Sequence, residues 1–271
     1  MHSMFVPLSI AAYGTGIPVL GSEHITIEHY RTRPLQLLLL IITSPLIKKI
    51  TVLSESIRKK YPYPICKRMV AITNPVDLPI GRVQQKEKKE RNILLNVGRL
   101  NQQKDQITLI KAFHELSIEL PNWDLRIIGE GSLRTELENK IFSLGLSHRI
   151  SMPGIKTNIS VEYLSADLFV VSSSYEAFGL VTAEAMSYAL PVVGFADCPG
   201  TNDLIKDGVN GFLAERGSPK HLKLANKLRF LMSNFSLIIE FGENSISIIS
   251  ARLNCDKIIN KWEVLLNNSV N

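Results

Sequence analysis

The sequence predicts an α/β protein built on parallel sheet, and three observations carry that expectation. Beyond residue 92, short apolar runs alternate with helix-period segments. Strands are expected at 93–97, 123–128, 149–152, 168–172, 191–195 and 211–213, and helices at 106–118, 132–144, 159–164, 178–189, 200–206 and 219–233. Glycine-containing or small polar turns follow three of these strands directly: Gly98-Arg99-Leu100, Gly129-Glu130-Gly131 and Ser172-Ser173-Ser174. Composition agrees, with 45% hydrophobic and 21% charged residues, and 271 residues suit two domains.

In chain order, Gly16-Ile17-Pro18-Val19-Leu20-Gly21-Ser22-Glu23-His24 reads as a strand ending in polar residues, and Ile50-Thr51-Val52-Leu53-Ser54-Glu55 as the next. Between them runs Leu35-Gln36-Leu37-Leu38-Leu39-Leu40-Ile41-Ile42, continuing to Leu46-Ile47. It is too short and interrupted for a spanning helix, which needs about 20 apolar residues. It is expected as a buried helix, and left uncovered it would favour a membrane face, a partner or aggregation. Ile72-Thr73-Asn74-Pro75-Val76-Asp77 reads as a further strand with its exit, and the mixed-sign run at 84–91 reads as a solvated linker.

Ile93-Leu94-Leu95-Asn96-Val97 is a buried strand, from which Gly98-Arg99-Leu100 turns toward a helix opened by Lys104-Asp105. A strand, a glycine turn and a cation at a helix start suit a pyrophosphate. The turn Gly129-Glu130-Gly131 follows the strand at 123–128, and its glycines admit close approach of a ligand. Next comes Tyr175-Glu176-Ala177-Phe178-Gly179-Leu180-Val181-Thr182-Ala183-Glu184. A helix starting near Phe178 would set Glu184 about two turns in, roughly 12 Å from Glu176 at ~1.5 Å per residue. That spacing is too wide for a glycoside hydrolase dyad, which needs about 5–9.5 Å. The two acids bracket a long ligand instead, with free N–H groups at Phe178, Gly179 and Leu180 facing phosphate. Alone, each feature reads as readily as a solvated loop or helix face. Together they share the carboxyl ends of strands, where open α/β sheets bind ligands. The segment at 256–266 is an amphipathic helix.

A net charge of +6 suits anionic partners, a nucleotide or an anionic bilayer. Nucleic acid is not expected, because basic residues do not cluster with aromatic platforms. Cys66, Cys198 and Cys255 lack disulfide or zinc spacing, which points to a reducing cytoplasm. No Asp-x-Asp stands near a strand end, so no metal is required, and Arg99 and Lys104 can take over its electrostatic role.

The order Gly98-Arg99-Leu100, Lys104-Asp105, Gly129-Glu130-Gly131, Glu176-Ala177-Phe178-Gly179-Leu180 and Glu184-Ala185, then Asn210-Gly211-Phe212-Leu213, resembles the donor-binding half of a family 4 glycosyltransferase. The likeness runs from about Gly16 to Trp262. It implies a retaining hexosyltransferase of the GT-B fold. The chain would hold one complete Rossmann-like donor domain (92–250), a partial Rossmann-like acceptor-side domain (1–80), a linker (81–91) and a helix (251–271) returning toward the N-terminal domain. Such halves need about 150 residues each, so the acceptor domain is expected to lack its front and the chain to transfer sugar poorly by itself.

By resemblance, Arg99 and Lys104 hold the departing diphosphate, Glu176 grips the transferred sugar and Glu184 the ribose. The backbones of Gly179, Leu180 and Val181 meet the distal phosphate or sugar, Gly98, Gly129, Gly131 and Phe178 line the donor, and Met152 and Gly154 wrap the base. His24 would approach the transferred sugar; an ordinary surface histidine is an equal reading. The co-substrate is a nucleotide-diphosphate sugar and the acceptor a glycan or lipid-linked glycan. The setting is surface polysaccharide biosynthesis at the inner face of the membrane, with peripheral membrane contact. A non-catalytic donor-binding remnant is the alternative, and a nucleotide-sugar 2-epimerase fits less well.

Overall fold

A computed structural model describes residues 4–79 and 89–270, so residues 81–88 of the expected linker lie outside the described residues. The chain divides into two compact units. The first comprises Met1–Pro75, Glu176–Phe178 and Leu253–Asn271; the second comprises Val76–Tyr175 and Gly179–Arg252.

In the first unit, α1 (Phe5–Ala11) precedes β1 (Leu20–Glu23), α2 (Ile27–Tyr30), α3 (Pro34–Thr43) and a 3-10 turn at Ser44–Leu46. Then follow β2 (Lys49–Val52), α4 (Glu55–Lys60), α5 (Tyr63–Cys66) and β3 (Met69–Ala71). The strands form a parallel sheet in the order β1-β2-β3. Its core gathers Val19, Leu40, Ile47, Ile50, Val52, Ile57 and Ile65, and the Phe5 ring lies against Gly21, where a Cβ would stand 3.1 Å from it. Ser54 caps α4 by accepting from the Ile57 amide at 3.2 Å, which starts the helix directly after β2.

Two expectations change here. The third strand lies at Met69–Ala71, ahead of the expected 72–77, because Pro75 has no amide to give a ladder and the pairing with Ile50–Val52 uses 69–71 instead. The apolar run is a helix as expected, but α3 is buried on one face only. Leu40 is fully buried, whereas Leu35, Leu38, Leu39 and Ile42 are 51–74% exposed.

The second unit runs β4 (Asn92–Val97), α6 (Gln106–Leu116), β5 (Trp123–Ile128), α7 (Arg134–Ser143), β6 (Ile150–Gly154), α8 (Ile159–Ser165), β7 (Leu168–Val170) and α9 (Leu180–Ser187). It continues through β8 (Val192–Phe195), α10 (Thr201–Leu204), β9 (Gly211–Ala214), α11 (Lys220–Met232) and α12 (Phe235–Arg252). Six parallel strands lie in the order β6-β5-β4-β7-β8-β9. Helices on both faces bury the aliphatic strands, as an all-parallel sheet requires. The register is anchored by β4 on β5, from Asn92 opposite Trp123 to Val97 opposite Ile128. Trp123, 1% exposed, donates its indole N–H to the Met232 carbonyl at 3.2 Å and so ties β5 to the end of α11.

Helix α12 had no counterpart in the sequence expectation. It packs on the turn after α9 so closely that Gly242 lies under the Ala189 carbonyl, a place no side chain could occupy. The last helix, α13 (Cys255–Val270), belongs to the first unit, where Ile258, Trp262 and Leu265 pack with Val70 and Ile72.

Candidate functional site

The loop from Gly98 to Asp105 is central to the second unit, because its backbone is tied on both sides at the carboxyl ends of the strands. On one side the Gly98 amide donates to Ile128 (2.9 Å), the Leu100 amide to Glu130 (2.9 Å) and the Leu133 amide to Leu100 (3.0 Å). On the other, the Ser174 amide donates to Gln103 (2.8 Å), the Gln103 side chain to Tyr175 (2.8 Å) and the Ser172 hydroxyl to Lys104 (2.7 Å). The three expected turns therefore form one hydrogen-bonded rim along β5, β4 and β7.

Asp105 closes the loop in a left-handed conformation (φ 49°) and caps α6 through its carboxylate, which accepts from the Thr108 hydroxyl at 2.9 Å and pairs with Lys220. The Lys104 stem lies over Gly98, its Cε 3.2 Å from where a Cβ would be. Arg99 is exposed, and its guanidinium has no protein partner among the described residues. The rim thus carries an available cation beside a lysine set at the head of a helix.

Gly129 and Gly131 do permit close approach, but of this loop. A Cβ on Gly129 would fall 2.9 Å from the Gly98 carbonyl carbon, and one on Gly131 would fall 2.7 Å from the Leu100 nitrogen. Next to them, Arg134 pairs with Glu130 and donates to the Met152 carbonyl at 2.8 Å. The Gly154 carbonyl accepts from the Gly129 amide at 3.0 Å. Met152 and Gly154, at the end of β6, therefore share the rim with Gly129.

Helix α9 starts later than expected. Gly179 takes φ +78°, a left-handed value that ends the loop, and Leu180 is the first helical residue. Glu184 is consequently one turn into the helix, a rise of about 6 Å from Leu180, where two turns were expected. Phe178 is buried, and among the described residues neither its amide nor that of Gly179 has an acceptor. The amides of Leu180 and Val181 likewise have no acceptor among the described residues. Glu176, 9% exposed, lies in the segment between β7 and α9.

The Glu184 carboxylate is partly buried and accepts from the Tyr163 hydroxyl at 2.8 Å. Burial pushes its pKa above the ordinary glutamate value, and the Tyr163 hydrogen bond offsets part of that rise. Among the described residues no lysine or arginine pairs with it.

His24 lies in the first unit just beyond β1, exposed, with Nε2 2.9 Å from the Ser22 hydroxyl, which in turn meets the Thr51 hydroxyl at 2.9 Å. Two residues of the second unit escaped the sequence reading. Arg216 stacks on Phe195 (4.2 Å), pairs with Asp197 and donates to the Ser173 carbonyl (2.7 Å), so it braces the loop after β7. Tyr163 is the other. An aromatic inside an apolar helix gives no sign that its hydroxyl reaches an acid 21 residues away.

Similarity to known proteins agrees with this geometry. An uncharacterized glycosyltransferase of Haemophilus influenzae is 29% identical over 199 residues, which cover 73% of this chain and 55% of that protein. The Campylobacter jejuni enzyme GalNAc-alpha-(1->4)-GalNAc-alpha-(1->3)-diNAcBac-PP-undecaprenol alpha-1,4-N-acetyl-D-galactosaminyltransferase is 28% identical over 236 residues, 87% of this chain and 64% of its own length. The chain therefore spans about half to two thirds of the length of these curated relatives. The crystal structure of Anabaena HepE in complex with UDP and glucose superposes with a TM-score of 0.84 at 21% identity, over 97% of this chain and 75% of that one. The fold is α/β and Rossmann-like, of the GT-B glycosyltransferase kind. The signature described as "Glycosyl transferases group 1" matches residues 79–247, more than half of the sequence, and the chain belongs to that family.

Proposed function

We propose that this chain serves the transfer of a hexose from a nucleotide-diphosphate sugar to a glycan or lipid-linked acceptor, with retention, in the manner of the family 4 enzymes and in surface polysaccharide assembly. The observation that carries this reading is the single rim at the strand ends, with Arg99 and Lys104 on one loop and the open amides of α9 and the Glu184 carboxylate along the other. In this reading the diphosphate lies against Arg99 and Lys104, which stabilise negative charge as the bond to the sugar breaks. Preorganised charge of that kind is usually the largest catalytic contribution. The amides of Leu180 and Val181 take phosphate oxygens, Glu176 holds the sugar, Glu184 the ribose, and Met152 and Gly154 border the base. No resident metal is invoked. The polysaccharide setting and the lipid-linked acceptor follow relatives such as the Campylobacter enzyme.

Titration of UDP by calorimetry into the wild type and into Arg99→Ala and Lys104→Ala tests the donor site. Each variant should lose about 1.5–3 kcal/mol, as for a charge-assisted hydrogen bond. Unchanged affinity in both would sink the assignment. Binding without sugar transfer to any lipid-linked glycan acceptor would reduce the proposal to a donor-binding role.

Peripheral membrane contact is proposed on a separate observation. Among the described residues no helix is long and apolar enough to cross a membrane. Helix α3, however, turns Leu35, Leu38, Leu39 and Ile42 outward at helical spacing, close after Arg31 and Arg33. The first unit holds eleven lysines and arginines against six aspartates and glutamates, so it is basic. An apolar stripe within a basic unit is complementary to an anionic bilayer. The free Cys66, Cys198 and Cys255 fit a reducing, cytoplasmic side for that contact.

A further inference from the structure

We infer that Tyr163 is a positioning residue for nucleotide binding, its hydroxyl fixing one oxygen of Glu184 so that the other is left to accept from the ribose. This rests on the reading of Glu184 as the ribose-binding acid.

The tyrosine is held from every side. Its ring is 1% exposed, lies 6.0 Å from the Phe169 ring of β7 and stacks on Tyr188 at 5.3 Å and 25°. Tyr188 is itself anchored by donating to the Ser160 hydroxyl at 2.7 Å, back on the helix that carries Tyr163. The Tyr163 hydroxyl therefore has a fixed place, from which it donates its single proton to Glu184 Oε2 at 2.8 Å. A carboxylate offers about four acceptor sites on two oxygens, and one phenol satisfies only one of them.

Among the described residues Glu184 has one neutral donor and no counter-ion, and a partly buried acid so placed is costly as a structural element. A glutamine could receive the same phenol without carrying a charge. A ribose diol supplies two further donors and meets the shortfall. Perturbed acids of this sort concentrate at functional sites, and this one lies one turn below the open amides of α9. Tyr163 contributes twice. It selects one orientation of the carboxylate before ligand arrives, which lowers the ordering cost of binding, and it favours the ionised form that the diol needs.

The test compares UDP with 2′,3′-dideoxy-UDP on the wild type, Tyr163→Phe, Glu184→Gln and the double variant, by calorimetry from pH 5 to 8. The wild type should prefer UDP, and Glu184→Gln should abolish that preference. Tyr163→Phe should weaken UDP about three- to tenfold, the span of one hydrogen bond, and leave dideoxy-UDP unchanged. In the Glu184→Gln background it should cost nothing more. UDP affinity should fall as acid protonates Glu184, and Tyr163→Phe should move that fall to higher pH because the ionised form loses a donor. Phenylalanine fills the same space, and a melting curve checks the fold. Equal weakening of both ligands, or an unmoved pH profile, would overturn the positioning role while leaving Glu184 in place. A ribose preference that survives Glu184→Gln would instead remove the acid from the ribose and the proposal with it.

Discussion

The Cβ that Gly129 lacks would fall 2.9 Å from the carbonyl carbon of Gly98, so the turns after β5 and β4 touch backbone to backbone. Gly129 also holds φ +140°, a value side chains rarely adopt. Gly129→Ala should therefore push the two loops apart, at a cost of about 3 kcal/mol or more, as for a clash combined with backbone strain. The melting temperature should drop by about 6–12 °C, and UDP affinity should fall with it because Arg99 is carried on the displaced loop. A variant with wild-type melting and binding would show that the contact is not structural.

The role proposed for Glu176 is contact with the transferred sugar and not with the nucleotide handle. If it grips the transferred hexose, Glu176→Gln should impair transfer far more than it weakens UDP binding, the pattern of an interaction made with the reacting group. Transfer to a lipid-linked glycan acceptor and UDP calorimetry, measured side by side, decide this. Equal losses in both would make Glu176 a support for the loop into α9.

Glu23 gives the first unit a pH dependence of definite sign. Its carboxyl is 3% exposed and accepts from the Tyr30 hydroxyl at 2.9 Å, and burial pushes its pKa to about 7 against an ordinary 4.5. The folded protein thus holds this proton more tightly than the unfolded chain. The contribution is fully present below about pH 4.5 and is lost as pH rises through about 7. It amounts to at most about 3 kcal/mol. Thermal unfolding followed from pH 4.5 to 8 should show stability from this group declining, and Glu23→Gln should flatten that decline. A variant whose profile keeps the wild-type slope would rule Glu23 out as its source.

The outward stripe of α3 predicts binding to vesicles that contain anionic lipid, weakened by salt and by Leu38→Glu with Ile42→Glu. Sedimentation with anionic and with neutral vesicles measures it. Both positions already face solvent, at 51% and 62% exposure, so the fold should tolerate the change. Equal recovery in the supernatant with either vesicle would refute the membrane contact.

Local chemistry made much of this protein legible without coordinates. Apolar runs marked β4 through β9, and Gly98 and Gly129 marked the turns after β4 and β5, because strand periodicity and a glycine at a strand exit are properties of a few neighbouring residues. The strand at 123–128 matches β5, and the helix expected at 106–118 overlaps α6 at Gln106–Leu116. The rest depended on which strands lie side by side. Parallel neighbours are far apart in sequence, so nothing near Gly129 tells that its missing side chain makes room for Gly98, 31 positions earlier. The Tyr163 bond to Glu184 and the brace from Arg216 to Ser173 likewise join segments that meet only once the sheet order is set. The start of α9 was misplaced because Gly179 serves equally inside a loop or at a helix entrance, and its φ decides which. Periodicity predicted that α3 would be a helix, but a helix apolar on every side does not say which face the core will cover, and only packing against α1, α2 and α5 left Leu35, Leu38, Leu39 and Ile42 in solvent.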